Sequence, residues 1–334
     1  MSKLPAKFLE LLEQIYPQPS VYKQLLSTFC QRPSCLRVNT LKAEKTQVLE
    51  ELRRANIKFQ KANFSELTYI VDNQYRKQLT QLPAYIDGKI YLQSLASQVP
   101  VLVLDPKPGD SILDLTAAPG SKTSQIAALQ KRQGILYANE QNKPRFFKLM
   151  HNMQHLGVLE SDKSYDDYIK LILDNGIVMP YKQEIKFDKI LLDTPCSAES
   201  RFLESDPKTY RYWHIKKVKT LVSTQKRLLK SAFAALKVGG TLVYSTCTIN
   251  PYENEIQIDN FLKKHPNAKL LPINIPGLKR GPILGSFQDK PISPELQKTL
   301  RVFPDKQIES FYVAKIQKTA EDPVQDEAAK HKYS

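Results

Sequence analysis

Two cysteines stand where a thiol could do covalent chemistry. Cys196 lies in Leu192-Asp193-Thr194-Pro195-Cys196-Ser197 and Cys247 in Tyr244-Ser245-Thr246-Cys247-Thr248, each directly after a stretch that reads as a buried strand. A lone cysteine is ordinarily a small buried apolar residue, but two at matching strand ends point into one crevice. They are far apart in sequence, unlike the CxxC pair of a redox dithiol. His151, His155, His214 and His265 do not complete a ligand set around them, so no metal is expected. Cys30 and Cys35, spaced CxxxxC, read as structural. One chemistry uses two thiols and an acid beside an adenosine cofactor: methylation of carbon 5 of a pyrimidine. A thiolate adding to carbon 6 makes carbon 5 nucleophilic, an acid at the ring nitrogen eases that addition, and Asp193 is placed to supply it. The second thiol can assist release.

The cofactor reading comes from Asp114-Leu115-Thr116-Ala117-Ala118-Pro119-Gly120-Ser121-Lys122-Thr123. Small residues let a backbone approach a ligand closely, and Gly120 falls where the chain turns into a helix. This is neither a GxGxxG dinucleotide fingerprint nor a Walker A loop, so a pyrophosphate ligand is disfavoured. Asn139-Glu140 ends the next strand, where an acid can hold a ribose diol. An adenosine cofactor without a diphosphate fits, and S-adenosylmethionine is the candidate.

Elements that could position these groups follow in regular alternation. Ser111–Leu115, Gly134–Ala138, Phe187–Leu192 and Thr241–Ser245 read as strands; Ser121–Leu129, Lys143–Leu156 and Ile215–Leu236 read as helices, the last ended by Gly239-Gly240. Strand then helix, repeated, predicts an α/β fold, a Rossmann-like doubly wound sheet with ligands beyond the carboxyl ends of its strands. Phe311–Ile316 would close it. Residues 1–90 read as a small N-terminal α/β unit, 91–318 as the main domain, and 319–334 as a disordered tail.

Composition bounds the partner. The chain has 334 residues and a net charge of +15, so an anionic partner is expected. Nucleic acid outranks membrane, because no segment approaches the roughly 20 uninterrupted apolar residues that a span needs. Glu10 and Glu13 interrupt the N-terminal apolar stretch, which argues against a signal peptide. Four cysteines do not form a secreted disulfide framework, so free thiols in a reducing cytoplasm are expected. Between Ser205 and Lys230, Lys208, Arg211, Lys216, Lys217, Lys219, Lys226, Arg227 and Lys230 stand against Asp206 alone, with Tyr210, Tyr212 and Trp213 interleaved. Cations that neutralise phosphates and rings that stack on bases suit RNA.

The motifs resemble the Nop/Sun family of RNA cytosine-5 methyltransferases. Its most specific parts here are DLTAAPGSKT at 114–123, LLDTPCS at 191–197 and YSTCTINPYENE at 244–255, with Leu36-Arg37-Val38-Asn39-Thr40 and Gly88-Lys89-Ile90-Tyr91-Leu92-Gln93 similar to its N-terminal signatures. The resemblance implies Cys247 as nucleophile, Cys196 in product release, and Asp193 and Lys122 beside the target base. DNA cytosine-5 methyltransferases use the Pro-Cys cysteine instead, which by analogy would be Cys196. The resemblance also implies cofactor contacts from Thr116, Ala117, Ala118, Pro119, Gly120, Ser121 and Lys122, from Glu140 and Asp193, and from an acid after the third strand, matched to Asp166. Three positions depart from the family pattern: Thr116 replaces a cysteine, Ser121 the second glycine of PGGK, and Ala198 a common glycine. The expected protein is a monomeric enzyme forming 5-methylcytosine in ribosomal or transfer RNA. The alternatives are a non-catalytic RNA-binding or ribosome-assembly protein keeping the fold, and a nicotinamide-dependent dehydrogenase, which the missing glycine fingerprint disfavours.

Overall fold

A computed structural model describes residues 3–160, 162–182 and 185–322. Four strands, β1 (Ser34–Val38), β2 (Phe59–Lys61), β3 (Thr68–Val71) and β4 (Ile90–Leu92), form an antiparallel sheet in the order β2-β3-β1-β4. The helix Lys45–Arg54 buries Val48 and Leu52 against this sheet's core of Leu36, Val38, Tyr69 and Val71. The division expected after residue 90 therefore falls inside β4. A second difference concerns the first helix, Ala6–Ile15. Its apolar stripe, Phe8, Leu11, Leu12 and Ile15, joins the core around Phe202, Tyr210 and Phe303, not that of the small sheet. Helical periodicity names the buried face of a helix but not the surface that covers it.

The main sheet contains β5 (Ser111–Asp114), β6 (Ile135–Asn139), β7 (Ile169–Ile172), β8 (Phe187–Asp193), β9 (Leu236–Thr246) and β10 (Ala268–Leu271). After a two-stranded ladder of β11 (Ser286–Phe287) and β12 (Lys290–Pro291) come β13 (Leu300–Val302) and β14 (Phe311–Lys318), which return to the main sheet. Its order is β10-β14-β9-β8-β5-β6-β7, with β13 on β14. Strands β7, β6, β5, β8 and β9 run parallel, and β14 closes antiparallel on β9. This is the expected doubly wound sheet. Its order reverses between β5 and β8, and a crevice opens beyond their carboxyl ends.

Two expectations from the alternation change. Gly239-Gly240 does not end the long helix, which runs Ile215–Ala234; both lie within β9, where the register against β8 shifts between Phe187 and Lys189. The short β7 is apolar at three of its four positions but is not among the strands that the alternation predicts. The expected tail lies outside the described residues from 323 onward, while Thr319 is tied to Asn267 by a 2.8 Å backbone hydrogen bond and Asp322 pairs with Lys318 at 2.7 Å. No described helix is long and apolar enough to cross a membrane.

Candidate active site

Register brings the two thiols together. Asp193 at the end of β8 lies opposite Ser245 on β9, so the loops that follow start side by side. The sulfurs of Cys196 and Cys247 come to 3.4 Å, within thiol hydrogen-bond distance, and both cysteines are free. That hydrogen bond, supported by the nearby Arg201 guanidinium, lowers the Cys247 thiol below its ordinary value in spite of burial. The same contact, together with burial, pushes the Cys196 thiol well up. The pair therefore favours one thiolate, on Cys247.

Beside the sulfurs, Lys122 Nζ donates to Asp193 Oδ2 at 2.6 Å and to Ser97 Oγ at 2.9 Å, above the Phe311 ring. Ser245 Oγ donates to the other Asp193 oxygen at 2.8 Å. Asp193 keeps 27% of its side-chain surface while Lys122 keeps 7%, so the carboxylate faces the crevice and the ammonium backs it. Thr116, where the family pattern has cysteine, donates its hydroxyl to the Asp193 carbonyl at 2.9 Å and joins the β5 loop to the β8 loop.

The β5 loop enters its helix through Gly120, whose φ of +102° is left-handed. A Cβ there would come within 2.5 Å of Met153 Cε and 3.0 Å of Leu149 Cδ1, so glycine lets the helix Lys143–His155 pack under the turn. Glu140, buried after β6, accepts the Asn142 N–H at 2.9 Å and faces Arg145 at 3.3 Å. Arg145 also donates to the Ala118 carbonyl at 2.7 Å, tying this acid to the first loop.

A cavity of about 290 Å³ joins these parts, lined among others by Thr116, Glu140, Asn175, Asp193, Cys196 and Cys247. Ala117, Ala118, Pro119, Ser121 and Lys122 also line it, whereas Gly120 shapes the turn from behind. The buried oxygens Asn139 Oδ1 and Thr194 Oγ1 have no partner among the described residues and belong to residues lining the cavity. A buried acid after β6, small backbone turns and orphaned polar atoms suit an adenosine ligand.

Asp166 does not belong to this site. It precedes β7, at the opposite end of that strand, where its carboxylate accepts the Tyr168 and Ile169 N–H groups at 2.9 and 2.8 Å and pairs with Arg132 at 3.0 Å. Asn175 and Gly176, which follow β7, line the cavity instead. With β7 missing from the predicted alternation, the acid that precedes this strand stands in the place of one that follows it. Sequence reasoning also gave no role to Arg201 or Gln225. Glu253 was visible only inside the NPYENE motif.

The basic stretch divides in two. Lys208, Arg211, Lys216, Lys217, Lys219, Lys226 and Arg227 are exposed, and Tyr212 is 66% exposed with the Arg211 guanidinium over its ring. Tyr210 and Trp213 pack with Phe202, and Trp213 donates its indole N–H to Glu199 at 2.9 Å. Tyr210 is buried, and Trp213 is half-buried against the same core. Among the described residues no His, Cys, Asp and Glu cluster could hold a metal.

The sheet order and the crevice at its reversal define a Rossmann-like methyltransferase. The family model described as 16S rRNA methyltransferase RsmB/F matches residues 101–317, and the chain belongs to that family. A tRNA (cytosine(49)-C(5))-methyltransferase of Pyrococcus abyssi is 36% identical over 86% of this chain and 88% of its own. Ribosomal RNA small subunit methyltransferase F of Vibrio cholerae is 32% identical over 96% of this chain, which spans 65% of that protein's length. A solved methyltransferase homologue from Pyrococcus horikoshii superposes with a TM-score of 0.81 at 28% identity, covering 95% of this chain and 96% of its own.

Proposed function

We propose that the protein methylates carbon 5 of a cytosine in ribosomal or transfer RNA, with S-adenosylmethionine as methyl donor. The observation carrying this reading is the pair of sulfurs 3.4 Å apart beside the Asp193–Lys122 pair, in the crevice lined by Glu140 and the β5 loop. Thr116 to Lys122, Glu140 and Asn175 would hold the cofactor, which when bound supplies an electrophilic methyl group. Cys247, the favoured thiolate, adds to carbon 6 of the ring. Asp193 meets the N3 edge of the base, where its carboxylate, held in place by Lys122 and Ser245, accepts a hydrogen bond from the N3–H that forms as N3 takes a proton from water during the addition. Addition shifts the ring electrons toward carbon 5, which then accepts the methyl group. The carbon-5 proton passes to water, its bonding pair restores the C5–C6 double bond, the C6–S bond breaks to return the thiolate to Cys247, and N3 gives its proton back to water. Cys196, next to the departing sulfur, assists that release. A cytosine reaches this crevice only from a loop or by leaving its helix, and the exposed cations of the helix Ile215–Ala234 are suited to hold the flanking phosphates. A reducing, cytoplasmic setting belongs to this reading, because its chemistry needs both thiols reduced.

The test is covalent trapping. RNA carrying 5-fluorocytosine has no carbon-5 proton to release, so wild-type protein with cofactor should form an adduct that survives denaturation, and Cys247→Ala should not. Trapping that persists in Cys247→Ala and vanishes in Cys196→Ala would reverse the two assignments. Absence of trapping in the wild type, with no S-adenosylmethionine bound, would favour a non-catalytic RNA-binding protein. Bisulfite sequencing of RNA with and without the protein would identify the cytosine.

A further inference from the structure

Beneath the Pro-Cys loop lie two buried carboxylates that the chemistry above does not use. Glu253 accepts three hydrogen bonds: the Ser197 N–H at 2.9 Å, the Ser197 hydroxyl, and the side-chain amide of Gln225 at 2.8 Å. The same Gln225 amide donates to the Pro195 carbonyl at 2.9 Å. The backbone is thus tied on both sides of Cys196. Gln225 comes from the long helix Ile215–Ala234, and Glu253 is anchored through its own carbonyl, which accepts the Tyr244 hydroxyl at 2.6 Å. Tyr244 lies on β9, the strand that leads to Cys247.

The second carboxylate braces the other side. Glu199 accepts from Trp213 Nε1, Thr248 Oγ1 and Asn250 Nδ2 at 2.8–3.0 Å, and Thr248 Oγ1 lies 2.7 Å from the Ser197 hydroxyl. The loop after Cys196 is therefore laced to the loop after Cys247. Burying carboxylates is expensive, and a loop needing only satisfied backbone could use neutral partners. A carboxylate that accepts several donors at once fixes geometry more tightly than an amide, which brings its own N–H groups.

We propose that the Glu253–Gln225 clamp is a positioning device for Cys196, holding its sulfur against Cys247 for product release. The clamp itself makes and breaks no covalent bond. The inference rests on the roles given to the two cysteines under the proposed function. Release is the step most exposed to its loss, because a displacement of about 1 Å in a reacting group can cost roughly a hundredfold.

The experiment compares wild type, Cys196→Ala, Glu253→Gln and Gln225→Met on RNA with ordinary cytosine and excess S-adenosylmethionine. Adduct surviving denaturation and methyl groups incorporated per enzyme are both counted. Both clamp variants should accumulate adduct at least tenfold above wild type and stall near one methyl group per enzyme, as Cys196→Ala should. Loss of turnover without adduct in the two clamp variants, while Cys196→Ala accumulates it, would overturn the clamp and leave the cysteine roles standing. If Cys196→Ala turns over without adduct, its assignment to release fails and the clamp with it. Should Glu253→Gln fail to fold, Gln225→Met decides by the same readout.

Discussion

Replacing Asp114 with Asn should make the protein more stable at alkaline pH. Asp114 ends β5 with 1% of its surface exposed, accepting the Thr123 hydroxyl at 2.7 Å. Burial, opposed by that hydrogen bond and by nearby Lys122, pushes its carboxyl from 3.8 up to about 7. The folded state thus holds the proton more tightly than the unfolded chain. Stability from this group is present at low pH and is lost as pH rises from the unfolded value toward the folded one. At about 1.4 kcal/mol per unit, a three-unit displacement amounts to roughly 4 kcal/mol above pH 7, and about 2.5 kcal/mol of it is lost between pH 5 and pH 8. Asparagine keeps an acceptor for Thr123 and loses the proton linkage, at the expense of about 1–2 kcal/mol of hydrogen bonding. The variant should match wild type near pH 5 and exceed it by roughly 2 kcal/mol at pH 8. Urea unfolding of both proteins at the two pH values measures this difference free of other titrating groups. A variant less stable than wild type by the same margin at both pH values would mean that Asp114 is ionised and paired, and the reasoning fails.

The thiol pair and the Pro-Cys loop give two more expectations. The Cys196 hydrogen bond is the main cause lowering the Cys247 thiol, so Cys196→Ala should move alkylation of Cys247 by iodoacetamide to higher pH, followed by peptide mass mapping; an unmoved profile would mean that Arg201 alone sets it. Ala198 holds a left-handed φ of 55° where the family pattern has glycine. Ala198→Gly should therefore raise stability by about 1 kcal/mol, seen as a higher urea midpoint, and an unchanged midpoint would mean that the backbone there carries no strain.

The chemistry was legible because it is carried by residue types at strand ends. Cys196, Cys247, Asp193 and Glu140 each follow an apolar run that a sheet must bury, and the alternation of strands and helices requires those ends to share one edge. The family pattern added the order of roles for the two thiols. Asp166 shows the limit of such reading. An acid can be placed before or after a strand only when that strand is in the predicted order, and β7, four residues long and apolar at three of them, is missing from it.

The sequence by itself determined the doubly wound sheet, the small-residue turn after β5 and the two strand-end cysteines, since local periodicity and side-chain chemistry suffice for these. Tertiary structure alone decided what lies across from what. The register of β8 on β9 sets the sulfur contact, the packing of Phe8 on Phe202 and Trp213 ties the N-terminal helix to the main domain, and Gln225 and Glu253 meet beneath Cys196 from distant parts of the chain. Such contacts depend on how elements dock. Docking follows from summed burial and complementary shape, which no local pattern records.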